Sequence, residues 1–169
     1  DIDEVQSVTL EYQLVNPGRY VRLGDADYRR GWTPVIMTDD GSNGDLLAGD
    51  SIYSATLPAA MQINRRLVRY RITTEDGLGH GVTVPYPDDE SPNFAYYVYN
   101  GVPSWSAAER PGTTRVQRFP AEVMSGSLPV YHLIANGSDV TNSQYSSGSD
   151  GVRMQGTLIY DRKVYDHIE

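Results

Sequence analysis

Five hard oxygen donors fall within a dozen residues of one another: Asp39, Asp40, Asn43, Asp45 and Asp50. Calcium takes ligands of this kind, because a hard divalent cation prefers carboxylate and amide oxygens. The spacing is not that of an EF-hand. No D-x-[DN]-x-[DN]-G run is present, and no Glu closes the loop. The same residues have a second use. Asp and Asn side chains accept hydrogen bonds from nearby backbone N–H groups, and Gly41, Gly44 and Gly49 supply positive φ. Ca²⁺ binding and turn capping both remain open at this stage.

Other chemistries find less support. His80, His132 and His167 are scattered, with neither H-x-x-x-H nor H-E-x-x-H spacing, so a zinc site or a catalytic base would need fold proximity. No G-x-S-x-G elbow marks a hydrolase serine, and no G-x-x-x-x-G-K-[ST] loop cradles phosphates. The run Ser146-Ser147-Gly148-Ser149-Asp150-Gly151 is Gly-rich but has no nearby Lys, so it reads as a plain loop. Asp88-Asp89-Glu90 offers paired carboxylates, but a glycosidase needs two facing each other across a groove. The aromatics Trp32, Trp105, Tyr96, Tyr97 and Tyr99 would serve either as sandwich core or as a sugar-stacking platform. Asn136-Gly137-Ser138 matches a glycosylation sequon, a signal that would carry no weight if the source were bacterial. No catalytic constellation is recognisable, and the expectation is a non-enzymatic chain.

Composition narrows the partners. The net charge is −8 and the pI about 4.8, which disfavours nucleic acid and anionic membranes because such binding rests on neutralising phosphate. No run approaches the ~20 apolar residues of a membrane helix. The absence of cysteine excludes disulfides and thiolate chemistry. Thirteen tyrosines against two phenylalanines suit half-buried strands, where a ring packs while its hydroxyl stays wet.

The elements that must position these residues read as strands. Val8 to Val15 alternates with period two, and Leu67 to Thr74 does the same. Tyr20–Leu23, Trp32–Met37, Ile52–Leu57, His80–Tyr86 and Phe94–Tyr99 are further expected strands, and Ser104–Arg110 is a marginal helix. Leu128–Ile134 reads as a strand, and Asn136–Asp150 as a mobile polar loop. Val152–Tyr160 and Lys163–Glu169 flank Asp161-Arg162 as a hairpin.

The stretch Thr38 to Pro58 resembles the D-D-G-x-x-G-D-x-x-A-G-D-G-x-Y-x-A-x-x-P segment of immunoglobulin-like modules in large exported bacterial proteins. Val68-Arg69-Tyr70-Arg71-Ile72 with Asp76-Gly77 resembles the strand that follows it there. Ser51 departs from the pattern, which has Gly at that place. Residues 128–169 look like the N-terminal strands of the spore-coat-protein-H (CotH) kinase family. The likeness rests on Leu128-Pro129-Val130-Tyr131-His132-Leu133, Gly151 to Gly156 and Tyr165-Asp166-His167-Ile168-Glu169. Members of that family transfer phosphate from ATP to secreted proteins. The resemblance implies a catalytic part beyond Glu169, so no catalytic motif is carried onto these residues.

The expected architecture is all-β: an immunoglobulin/fibronectin-III-like β-sandwich over 1–100, a linker over 101–127, and a β-rich start of a CotH-like domain over 128–169. The expected role is a non-catalytic structural or interaction module of an exported bacterial protein, secreted or at the cell surface or in the periplasm. Its partners would be a protein, a glycan or a domain following in the same chain. A carbohydrate-binding module and a fragment of a secreted kinase are the rival readings.

Overall fold

The structure, a computed structural model, describes residues 4–101, 104–110, 115–122, 129–145 and 153–169. In chain order it holds β1 (Val5–Val15), α1 (Ala26–Arg30), β2 (Thr33–Met37), a 3-10 turn (Ala59–Met61), β3 (Leu67–Asp76) and β4 (Gly81–Val84). There follow β5 (Phe94–Tyr97), β6 (Trp105–Ala108), β7 (Val116–Phe119), β8 (His132–Ile134), α2 (Gly137–Tyr145), β9 (Gly156–Tyr160) and β10 (Lys163–Ile168). The fold is all-β, and its strand pairs are antiparallel.

The period-two segments form the centre of a five-stranded sheet ordered β2-β1-β3-β4, with β5 also on β3. Tyr12 lies opposite Tyr70, Gln13 opposite Arg69 and Val15 opposite Leu67. One edge of β3 is divided. Its second half pairs with β4 from Ile72 to Glu75, and its first half pairs with β5 from Leu67 to Tyr70. Alternation sends Leu67 and Arg69 to one face and Val68 to the other. All three are completely buried, so this part of the sheet is covered on both sides.

A second sheet, ordered β10-β9-β8, covers the Leu67 face. Val15, Tyr20 and Leu67 from the first hundred residues share one apolar cluster with Ile134 and Ile159, with Ala95, Tyr97 and Val164 packed against it. The expected hairpin is present, with Lys163 opposite Tyr160 across Asp161-Arg162. Both turn residues have positive φ (49° and 62°), which matches the twist of a two-residue hairpin. Gly156 is required where β9 meets β8, since a Cβ there would lie 2.6 Å from the Ile134 carbonyl oxygen.

Several expected elements differ. Ser104–Arg110 contains a strand, not a helix, because Trp105 pairs with Phe119 across β6 and β7 and stacks on it at 5.0 Å. Residues 137–145 of the expected loop form α2. Its own sequence is a poor helix former, but tertiary bonds hold its start: Gly137 N–H donates to the Gly18 carbonyl, and Asp139 in the first turn pairs with Arg22 at 2.7 Å. Residues 146–150 of that loop lie outside the described residues. Ile52–Leu57 makes one isolated bridge, Thr38 to Ser54. Tyr20–Leu23 is not a strand, because side chains take its amides: Tyr20 N–H donates to Asn136 Oδ1 and Arg22 N–H to Asp25 Oδ2.

Candidate functional site

The face between the two sheets encloses a polar centre built around Arg69 and Asp166. Arg69 projects from β3 and Asp166 from β10, and their side chains are 0% and 3% exposed. The pair is bidentate: Arg69 Nε donates to Asp166 Oδ2 at 2.7 Å and Nη2 to Oδ1 at 3.1 Å. The remaining guanidinium nitrogen, Nη1, donates to Gln13 Oε1 and the Val21 carbonyl. Tyr20 and Tyr28 hold their rings 5.1 and 5.6 Å from the guanidinium carbon. Asp166 also accepts from Thr157 Oγ1, from Asn93 Nδ2 at 3.1 Å and from the His167 N–H at 2.9 Å. Asn93 Oδ1 in turn accepts from Tyr28 Oη and from His167 Nε2, both at 2.9 Å. That bond places the imidazole proton on Nε2, because an amide oxygen can only accept.

Local structure aims these groups. The register between β9 and β10 shifts between Tyr165 and Ile168, and His167 sits there with φ 58°. A bulge of this kind turns consecutive side chains inward. Asp166 and His167 are accordingly both buried where strict alternation would expose one of them. α1 presents Tyr28; the Asp27 carbonyl accepts from the Gly31 N–H and from Gln13 Nε2, and the Tyr28 carbonyl from Trp32 Nε1.

The electrostatics follow from burial. Burial alone would raise the Asp166 carboxyl, but Arg69's hydrogen bonds and charge outweigh it and hold the group well below the usual carboxylate range. Burial lowers His167 to about 4, since the nearby Asp166 charge is offset in part by Arg69. Burial and then Asp166 raise Tyr20 to about 12. At neutral pH the centre is therefore one arginine, one carboxylate, a neutral imidazole and neutral phenols. Such a set can lock two elements together. It has no side-chain atom left without a partner among the described residues.

Asp39, Asp45 and Asp50 are brought together, with one carboxylate oxygen of each within 4.8 Å of the others. Asp40 is not in this group. Its Oδ1 accepts from Thr38 Oγ1 and from the N–H and hydroxyl of Ser42. Asn43, at φ 51°, donates through Nδ2 to Ser42 Oγ, and its carbonyl accepts from Thr56. The three gathered carboxylates are also engaged by backbone. Asp39 accepts from the N–H groups of Gly49, Asp50 and Ser51, Asp45 from Gly41 and Asp50 from Ile52. Three carboxylates supply part of the roughly six to eight oxygens that calcium takes. Turn capping is what the geometry displays directly. Asp39→Ala is expected to cost about 1–2 kcal/mol in a urea melt, because three backbone N–H groups lose one acceptor.

The aromatics divide. Trp32 lies apart, with the Arg71 guanidinium 4.4 Å from its ring. Tyr96, Tyr97 and Tyr99 line a cleft of about 380 Å³ between β5 and the second sheet, together with His132, Tyr160 and Arg162. Tyr97 and Tyr99 continue into an adjoining cleft with His132, Trp105, Tyr131 and Arg65. His132 is lowered by burial and then by Arg65, and is neutral at neutral pH. The third histidine, His80, pairs with Asp76 on the surface, so the three histidines occupy three separate places.

Sequence reasoning missed Arg69, Asp166, Asn93, Gln13 and Tyr20. The one legible signal was an arginine flanked by Leu67, Val68 and Tyr70 in a strand that must be covered. No known family model matches this chain, no curated protein matches it, and no solved structure matches it.

Proposed function

We propose that the chain is a non-catalytic positioning and interaction module of an exported bacterial protein, immunoglobulin-like in its first hundred residues and joined rigidly to the β-rich segment that follows. The observation that carries this reading is the buried Arg69–Asp166 pair, which ties β3 to β10 across the sheet interface. A flexible tether between two parts would have a polar, wet junction. Here the junction is apolar around a fully partnered ion pair, as in the interior of one domain. An element attached at β10 would inherit a fixed orientation relative to the five-stranded sheet.

The resemblance of residues 128–169 to the start of a CotH-like kinase domain makes phosphoryl transfer the activity to test. Labelled ATP is given with acidic, Ser-rich protein substrates to this chain and to a version carrying whatever its gene encodes after Glu169. The reading expects no transfer by residues 1–169 alone. Transfer by this chain itself would overturn it.

A further inference from the structure

We propose that β4 is a self-complementary edge through which two copies of this chain pair antiparallel, joining their five-stranded sheets into one. β4 ends the sheet, whose order runs β2-β1-β3-β4. The phase of its hydrogen bonds follows from the turn that precedes it. Asp76 N–H donates to the His80 carbonyl, and in an antiparallel ladder bonded pairs alternate with unbonded ones. Thr74–Val82 and Ile72–Val84 are therefore the bonded pairs, and Thr73–Thr83 is an unbonded one. The 2.8 Å contact between the Thr73 and Thr83 hydroxyls agrees, because side chains approach most closely in unbonded pairs. Gly81, Thr83 and Pro85 thus turn their backbone groups outward. The outward N–H groups, those of Gly81 and Thr83, have no partner among the described residues. Edges that avoid pairing carry charge, proline or a bulge. β2, at the other end of the sheet, is blunted in this way: Pro34 has no N–H, and Thr38 exchanges both bonds with Ser54. β4 reads Gly-Val-Thr-Val, a neutral and β-branched run in a chain of net charge −8.

Register decides what this edge fits. Antiparallel pairing of two β4 strands centred on Thr83 sets Thr83 opposite the second copy's Thr83, and Gly81 opposite its Pro85. The two Thr83 residues exchange both bonds. Pro85 offers only a carbonyl, and the facing Gly81 supplies the N–H that it takes. Every outward donor of both copies is then satisfied, although neither Pro85 has an N–H to give. On the face of the joined sheet, Val82 meets the second copy's Val84 in an unbonded pair, where side chains lie closest. Val82 and Val84 are 50% and 37% exposed in the single chain, so this contact removes apolar surface from water. The two copies are related by a two-fold axis through the Thr83 pair, the closed symmetry of most dimers. An edge-to-edge contact of this size belongs at the weak end of specific interfaces.

Sedimentation equilibrium over a concentration series tests the pairing. The chain is expected to pass from monomer to dimer, half associated at about 0.1 mM. Thr83→Lys and Thr83→Glu each set like charges opposite one another at the axis, and each should weaken association about ten-fold. An equimolar mixture of the two should regain it, because Lys then faces Glu, a rescue that follows from a register centred on Thr83. Ile36→Lys, on the β2 edge and 74% exposed, should leave association unchanged. Thermal melts check folding, and Val82→Lys, with the same expected loss, replaces any Thr83 variant that fails to fold. A chain still monomeric at about 1 mM would overturn the proposal and leave the edge to a strand of another protein. Dimers that persist in the folded β4 variants, or folded Thr83 variants that do not associate when mixed, would overturn it as well.

Discussion

Replacing Arg69 with alanine is expected to remove about 3–5 kcal/mol of stability, because it leaves the Asp166 carboxylate buried without its counter-charge. Whole-domain stabilities are about 5–15 kcal/mol, so the variant should be marginal at room temperature. The comparison that decides the mechanism is Arg71→Ala. Arg71 Nε lies 2.7 Å from Glu11 Oε2, as short as the Arg69 contact, but these side chains are 31% and 26% exposed. A wet pair of this kind is worth about 0–1 kcal/mol, and the Trp32 ring adds about 0.5–1 kcal/mol. Urea melts of the two variants should therefore differ by several-fold in lost stability. The double variant Arg69→Met with Asp166→Leu should recover part of the loss and not all of it. Removing both charges ends the imbalance, but Thr157, Asn93 and the His167 N–H would still lose their acceptor. If Arg69→Ala and Arg71→Ala cost the same, burial is not what gives the Arg69 pair its strength.

Acidification below pH 6.5 should weaken the fold before any carboxylate titrates. His167 is held neutral at about 4 in the folded chain, against about 6.5 when unfolded. Between those values the unfolded chain binds a proton that the folded chain refuses, so stability is fully present above pH 6.5 and falls toward pH 4. With its side chain only 3% exposed, the loss is on the order of 3 kcal/mol. Asp166, held below the usual carboxylate range, continues the loss below about pH 4. His132 is lowered as well and acts in the same direction. His167→Gln isolates the larger effect. Its urea midpoint should change much less between pH 7 and pH 4.5 than that of the parent chain. An equally steep fall in the variant would assign the acid sensitivity elsewhere.

Much of the first sheet was legible because period-two alternation survives burial. Val8 to Val15 and Leu67 to Thr74 are strands because a half-covered sheet needs that pattern. The hairpin around Asp161-Arg162 was legible for the same reason. What escaped were features decided by partners distant in sequence. α2 forms from residues with little helical preference because Gly18 and Arg22 meet its first turn. β6 is a strand because Phe119 stands opposite Trp105. The polar centre escaped more completely. Asp166 follows Arg69 by 97 residues, and only a bulge in β10 turns it and His167 inward together. In the acidic loop the residue types were legible, but the gathering of Asp39, Asp45 and Asp50 apart from Asp40 depended on turns that the sequence does not order. The aromatics were half legible: Tyr97 and Tyr99 stood out, while His132 meets them only through sheet packing.

The central claim is that the five-stranded sheet and the C-terminal sheet are one cooperative body locked by Arg69 and Asp166. Native-state hydrogen exchange measures this directly, because it gives an opening free energy for each protected amide. Amides of β1 and β3 should open with the same free energy as those of β9, and Arg69→Ala should lower both sets by an equal amount. If the β9 amides open at far lower free energy than those of β3, and Arg69→Ala leaves that difference unchanged, the two sheets are separate bodies and the account fails.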